Sequence, residues 1–466
     1  MSSERAAGGS GPVPEGRGPR LRALLYLAWP IVVSRGSQVV MSIADAVMVA
    51  HLGTAALAAT TAGATNAFAF FILPMGITFI VSSFSSQLFG MGDLRAARRH
   101  GWYGLAVAAL AQIVALLALP FIPSALALLD YAPDVRAPME RFVALRLLST
   151  GAVVGLEALG NYFGGIGNTR LQMRASLVAM VLTVAGNWVL IDGRLGAPAL
   201  GVRGAALSNV LSTGVAFLGL LGVFLRECRR HGVGRLRRVE LLRVLRFGLP
   251  SGFTWFFEFA AYAFFVDVVV AGLGTTELAA LMAVIQVNSV AFMPAFGLAS
   301  GGAILVGQAI GAGRPERVGA LVRLTFVVAA AWQSIVALAY LTAPGLVLSA
   351  FARDPASAGA LLAAGRRMLV LSAAWQLFDA AVNVLGEALR AAGDTRFTMW
   401  ARVLASWFVW AVGSWVSVRL LGGGDAVAVA WLVLYLAVLA LVLLLRFRSG
   451  AWRRIVLVDA PASAAK

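Results

Sequence analysis

Twelve apolar stretches of roughly membrane-spanning length follow one another along the chain, separated by short polar breaks. Their approximate limits are 23–50, 55–87, 101–123, 138–163, 171–192 and 204–226, then 247–273, 277–308, 318–343, 366–390, 397–421 and 427–446. About 20 apolar residues cross the hydrocarbon core as a helix. Water cannot satisfy the backbone at that depth, so each stretch predicts a helix. The breaks carry residues that end helices, such as Gly90-Met91-Gly92-Asp93, Pro123-Ser124, Gly167-Asn168-Thr169-Arg170, Gly311-Ala312-Gly313, Pro344-Gly345 and Gly393-Asp394-Thr395-Arg396. Residues 1–22 are polar and rich in Gly, Pro and Arg, without the apolar core and cleavage site of a signal peptide. They predict a disordered cytoplasmic tail.

The pattern repeats after about 220 residues. Pro30 falls on Pro250, Leu52-Gly53 on Leu273-Gly274, and Leu57-Ala58-Ala59 on Leu278-Ala279-Ala280. Gly76, Gln87, Gly90 and Gly92 fall on Gly297, Gln308, Gly311 and Gly313, and the Gly-Asn-Thr-Arg break answers Gly-Asp-Thr-Arg. Matched Pro, Gln, Gly and Arg go beyond a shared apolar bias. The expectation is an all-α membrane protein of twelve transmembrane helices in two six-helix lobes, at 23–226 and 247–446. A basic cytoplasmic connector at 227–246 joins them, and 447–466 forms a cytoplasmic tail. Six spans per copy make this a parallel repeat, with a pseudo-two-fold axis along the membrane normal.

Composition agrees: 60% of the 466 residues are hydrophobic and 13% charged, against about a quarter charged in soluble domains. Long apolar runs exclude a β-barrel, whose strands alternate over short segments. A net charge of +17 suggests nucleic acid, but nearly all the charges lie between the apolar runs. Alternate breaks and both tails hold 28 of the 38 Lys and Arg residues, which places both termini in the cytoplasm. Residues 226–246 then read as a topology determinant and a contact for anionic lipid, not as a nucleic-acid patch. Cys228 is the lone cysteine, and His51, His100 and His231 are scattered, so neither a disulfide framework nor a metal constellation is expected. There is no phosphate-binding loop and no nucleophile–base spacing. The chain is expected not to be an enzyme, to need no cofactor, and to draw energy from an ion or substrate gradient.

Six acidic residues fall within spans: Asp45, Glu157, Glu258, Asp267, Asp379 and Glu387. A carboxylate at bilayer depth costs at least ~2.5–3.5 kcal/mol on insertion scales and usually faces an ion path or aqueous interior. Gln38 lies about two turns from Asp45, on one helix face. Asp45 either lines a cavity with Gln38 or hydrogen-bonds a neighbouring helix. Glu258 has Trp255, Phe256, Phe257, Phe259 and Tyr262 around it. It either holds a desolvated cation among rings or stays protonated on a lipid-facing helix. Trp375 and Asn383 flank Asp379 by one turn on either side. Asp267, Glu157 and Glu387 lie nearer span ends, where interfacial solvation is expected. Arg35, about twelve residues into the first span, either pairs with an acid of another helix or marks a later helix start. Prolines 30, 74, 250 and 294 are candidate hinges.

From about Leu21 to Arg446 the chain resembles the multidrug and toxic compound extrusion (MATE) family, in its NorM-like branch. The resemblance rests on Gln38 with Asp45-Ala46-Val47-Met48-Val49-Ala50, the Leu-Gly pairs, and the Gln-x-x-Gly-x-Gly endings at 87–92 and 308–313. The Gly-Asn/Asp-Thr-Arg turns and NWVLIDGRLGAPALGVRGAAL at 187–207 belong to the same pattern. It implies a V-shaped two-lobe fold and export of cationic amphipathic compounds against Na⁺ or H⁺. It implies Glu258 and Asp379 as carboxyl-lobe cation ligands, Na⁺ ligands if Na⁺ is the coupling ion, and Asp45 as the first-span acid. Where the DinF-like branch carries a further acid this chain has Asn187; Thr183 stands at the family's preceding Asn and Asn209 at its Thr. These departures imply a weakened amino-lobe ion site. The expected setting is a monomer in the bacterial inner membrane, with a small cationic substrate and lipid as partners and no nucleic acid. A flippase of lipid-linked saccharides is the alternative; its anionic pyrophosphate head calls for arginines in the cavity. Arg35 is the only arginine read as deep in a span, so a cationic substrate is preferred.

Overall fold

The computed structural model describes residues 17–128, 131–351 and 358–459. Most of the expected amino tail (residues 1–16) and the last seven residues of the carboxyl tail lie outside the described residues. The chain is all-helical, and among the described residues eleven helices are long and apolar enough to cross a membrane. They are α1 (Gly18–Ala50), α2 (Thr54–Gly90), α3 (Leu94–Ala127), α5 (Thr169–Leu190), α6 (Val202–His231), α7 (Arg238–Val270), α8 (Thr275–Gly311), α9 (Pro315–Thr342), α10 (Gly359–Ala391), α11 (Thr395–Leu420) and α12 (Asp425–Arg448). A twelfth span, α4, is a bent pair, Pro133–Leu147 and Thr150–Gly165, meeting at 48°. At the bend the Ser149 and Thr150 hydroxyls donate back to the carbonyls of Arg146 and Leu147. The basic connector is mostly helix, because α6 runs on to His231 and α7 begins at Arg238. Arg98 on α3 holds it, donating to the carbonyls of His231 and Gly232 and to Glu227. Arg99 donates two bonds of 2.8 Å to Glu240.

The chain divides into two compact units. The first is Val33–Gly252; the second is the described part of Ser10–Val32 with Phe253–Lys466. The divisions fall inside α1 and α7, just past Pro30 and Pro250, which both lie within their helices. Leu24, Leu27, Ala28 and Ile31 of α1 belong to the continuous apolar core of the second unit.

Matched glycines of the sequence repeat do matched work. In the first unit a Cβ on Gly76 of α2 would lie 2.7 Å from the Cα of Gly252 in α7. In the second, a Cβ on Gly297 of α8 would lie 3.1 Å from the backbone nitrogen of Val32 in α1. Small residues let helix backbones close on each other, and that contact, rather than hydrophobic exclusion, drives helix association in lipid. Gly76→Val is therefore expected to destabilise the protein by about 1–3 kcal/mol through overpacking. Thermal unfolding of the purified protein in detergent reads this directly; an unchanged midpoint would show that the two helices do not close.

The turns repeat as well. Gly92 and Gly313 have φ of 80° and 70°, and the next residues donate to the carbonyls of Leu88 and Ala309, both at 2.9 Å. Gly167 and Gly393, with φ of 86° and 91°, are followed by Asn168 and Asp394, which donate to Phe163 and Leu389 at 2.8 Å. All four are left-handed glycine caps closed by the long bond of the Schellman motif, a conformation that other residues enter only with strain.

Candidate functional site

Each unit holds a mid-span carboxylate among neutral donors. In the first, Asp45 of α1 accepts a hydrogen bond on each oxygen. Asn187 Nδ2 of α5 donates to Oδ1 at 2.6 Å and Asn209 Nδ2 of α6 to Oδ2 at 2.9 Å. Below them the hydroxyls of Thr183 and Ser212 lie 2.6 Å apart. Asn187 and Thr183 are fully buried, and Asn187 Oδ1 has no hydrogen-bond partner among the described residues. Arg146, in the first piece of α4, stacks its guanidinium 5.6 Å from the centroid of Phe71 and lies within electrostatic range of Asp45. Gln38 is exposed and stands apart from this group, though it shares a helix face with Asp45.

Arg35 pairs with Glu157 of α4; its second amino group donates to Glu157 Oε2 at 3.2 Å. Asn161 Nδ2 reaches Glu157 Oε1 at 3.5 Å. Interfacial solvation of Glu157 is thus corrected. The residue is 4% exposed, because a long guanidinium on α1 meets it inside the helix bundle. Glu387 is likewise mostly enclosed, paired with Arg390 three residues on. Asp267 is exposed, as its position near a span end suggested.

In the second unit Asp379 of α10 accepts from Gln333 Nε2 of α9 at 3.0 Å, while Asn383 Nδ2 donates to the carbonyl of Asp379 at 2.9 Å. Gln333 is 1% exposed, and its Oε1 has no hydrogen-bond partner among the described residues. Ser372, Gln376, Asp379 and Asn383 form a polar stripe of spacing four, three and four along α10. Gln376 Nε2 extends it to Asn288 of α8 at 2.7 Å. Trp375 is buried in the apolar core, and Tyr262 packs against that core.

Glu258 is neither a free carboxylate among rings nor a lipid-facing acid. Arg402 Nη1 of α11 donates to both its oxygens, at 3.0 and 3.1 Å, and the Tyr435 hydroxyl of α12 donates to Oε1 at 2.6 Å. Arg402, one of the 28 Lys and Arg residues assigned from the sequence to the cytoplasmic side, therefore belongs to the span interior. With Arg146 it also corrects the reading of Arg35 as the only deep arginine. Arg402 lies a few residues past the Gly-Asp-Thr-Arg turn, where distance along the chain cannot tell a loop arginine from one whose side chain runs inward. Gln333 did carry a signal, an amide in the middle of the apolar run VVAAAWQSIVALAY. Among the described residues no three His, Cys, Asp or Glu side chains converge to hold a metal ion. In each unit one mid-span carboxylate lies beside an amide whose oxygen has no hydrogen-bond partner among the described residues: Asp45 with Asn187, and Asp379 with Gln333.

A family model described as MatE matches residues 30–189 and 250–416, once in each half of the repeat. The chain belongs to the MATE family. Full-length relatives agree. The probable multidrug resistance protein NorM of Pseudomonas putida is 30% identical and is covered over 94% of its length by 93% of this chain. The protein of the same name from Mesorhizobium japonicum is also 30% identical, covering 84% of this chain and 85% of its own. Among solved structures, a MOP-superfamily transporter of Pyrococcus furiosus superposes with TM-score 0.84 at 19% identity, over 93% of this chain and 97% of that one. An outward-facing multidrug resistance MATE transporter gives 0.82 at 20% identity, over 93% and 97%. This MATE protein is thus an integral membrane transporter with the MATE fold, and not an enzyme.

Proposed function

We propose that this MATE-family protein is a secondary active antiporter. It exports cationic, amphipathic compounds across the bacterial inner membrane in exchange for Na⁺ or H⁺, by alternating access, with both termini in the cytoplasm. The observation that carries this reading is a mid-span carboxylate in each unit, held by amide donors beside a buried amide oxygen without a partner. Such a group attracts a cation and presents it with oxygen ligands. The coupling cation and the drug compete for Asp379 and Asp45, and the bias the ion supplies is limited to its differential affinity for the two conformations. That curated relatives at 30% identity are named multidrug resistance proteins supports export of drugs by this chain also.

The charge balance favours a cationic cargo over the pyrophosphate head of a lipid-linked saccharide. Arg35 and Arg402 are ion-paired with Glu157 and Glu258, and Arg146 lies within electrostatic range of Asp45. That leaves Asp379 without an ion-pair partner among the described residues. Efflux of a fluorescent cationic dye from proteoliposomes, with Na⁺ and proton gradients imposed separately, tests the reading. At least one gradient is expected to drive efflux well above that of empty liposomes. Dye binding with no efflux under either gradient would overturn antiport, and binding of a lipid pyrophosphate in place of dye would favour the flippase.

A further inference from the structure

We propose that Arg402 is a tethered cation that occupies Glu258, excludes Na⁺ from it, and leaves Asp379 as the mid-span carboxylate of the second unit open to a coupling ion. This rests on the reading that the acids of this unit exchange a cation. It adds a residue that sets which ion they accept.

The seat for the guanidinium is built. Nη1 bridges both oxygens of Glu258, and with the Tyr435 hydroxyl three of the carboxylate's roughly four lone-pair directions are taken. The Tyr435 ring is itself fixed, stacked on Trp410 of α11 at 5.5 Å between centroids. Nη2 faces α10, donating to the carbonyl of Val382 at 3.4 Å, one turn from Asp379. Gly386 makes room there, since a Cβ on it would lie 2.7 Å from Nη2. The guanidinium therefore rests against bare backbone on the helix that carries Asp379. It stands between the two acids, within electrostatic range of both.

A free Na⁺ is a poor competitor for that place. The guanidinium is delivered on the same chain and pays no association entropy, whereas Na⁺ must be dehydrated and must leave behind a buried, unpaired arginine, which is heavily penalised. Where two neighbouring carboxylates would otherwise face one small cation, Arg402 cancels one of them. Its removal restores a full negative charge within electrostatic range of Asp379, adding a second Coulomb attraction for a cation held there.

The test compares wild type with Arg402→Met, reading Na⁺ affinity from the Na⁺ dependence of both thermal unfolding and dye efflux at constant ionic strength with choline. Arg402→Met is expected to bind Na⁺ at least about tenfold more tightly than wild type. Its unfolding midpoint should rise by at least about 2 °C over a Na⁺ range that leaves wild type unchanged. Arg402→Lys keeps the charge and is expected to behave as wild type; Arg402→Met with Glu258→Gln is expected to lose the gained Na⁺ response. Equal Na⁺ affinity in wild type and Arg402→Met overturns the proposal. Should Arg402→Met not fold, Arg402→Gln, which keeps a polar side chain and removes the charge, gives the same readout; no gain in Na⁺ affinity there overturns the proposal. Absence of efflux in wild type under either gradient would instead be a failure of the antiporter reading, and is separable from these results.

Discussion

Glu157→Gln is expected to destabilise the protein by about 3–5 kcal/mol, because it removes the counter-charge that Glu157 gives the buried Arg35. The pair sits where its loss is felt most. Arg35 lies three residues past the point at which α1 passes from the second unit to the first, and Glu157 fastens the second half of that helix to α4. Both side chains are nearly enclosed, at 10% and 5% exposure, so water cannot take over the partner's role. The double change Arg35→Met with Glu157→Met should recover most of the loss, since replacing a buried ion pair by apolar residues of similar volume is often neutral or stabilising. Thermal unfolding of the three purified proteins decides the matter. A single variant as stable as wild type would mean that the pair is solvated or dispensable.

Asp379→Asn is expected to abolish gradient-driven dye efflux while leaving the fold intact. Asparagine keeps the size of the side chain and an oxygen for Gln333 Nε2, and no arginine loses its partner, in contrast to any change at Glu258. Efflux should fall to the level of empty liposomes under both gradients, with an unfolding midpoint near that of wild type and dye binding still measurable. Efflux at the wild-type rate would remove Asp379 from the transport cycle.

Glu258 shows how far a single chain can be read towards a site. Its depth, its aromatic setting and its place in the repeat all mark it as unusual. What they suggest, however, is a carboxylate awaiting a cation, and the cation is already covalently present on α11. Arg35 shows the converse: an arginine that looks misplaced along the chain is explained once Glu157, more than a hundred residues away, is brought beside it. Asp45, Asn187 and Asn209 converge from α1, α5 and α6, and only the resemblance to a known family had associated them beforehand.

The helical class, the number of spans and the duplication were all written in the order of residues. Apolar length, helix-ending Gly and Pro, and matched positions some 220 residues apart are local or periodic properties, and the bilayer allows a chain of this kind no other regular structure. The same holds for the left-handed glycine turns, whose backbone demands only glycine meets cheaply. Which charge meets which was decided by tertiary structure alone. An ion pair depends on the rotation of one helix against another and on the reach of a flexible arginine, and neither is encoded by spacing along one strand of sequence. So too with the passage of α1 and α7 from one compact unit to the other, which rests on backbone closeness at Gly252 and Val32. That closeness appears only when the matched glycines of the two halves find their partners in space.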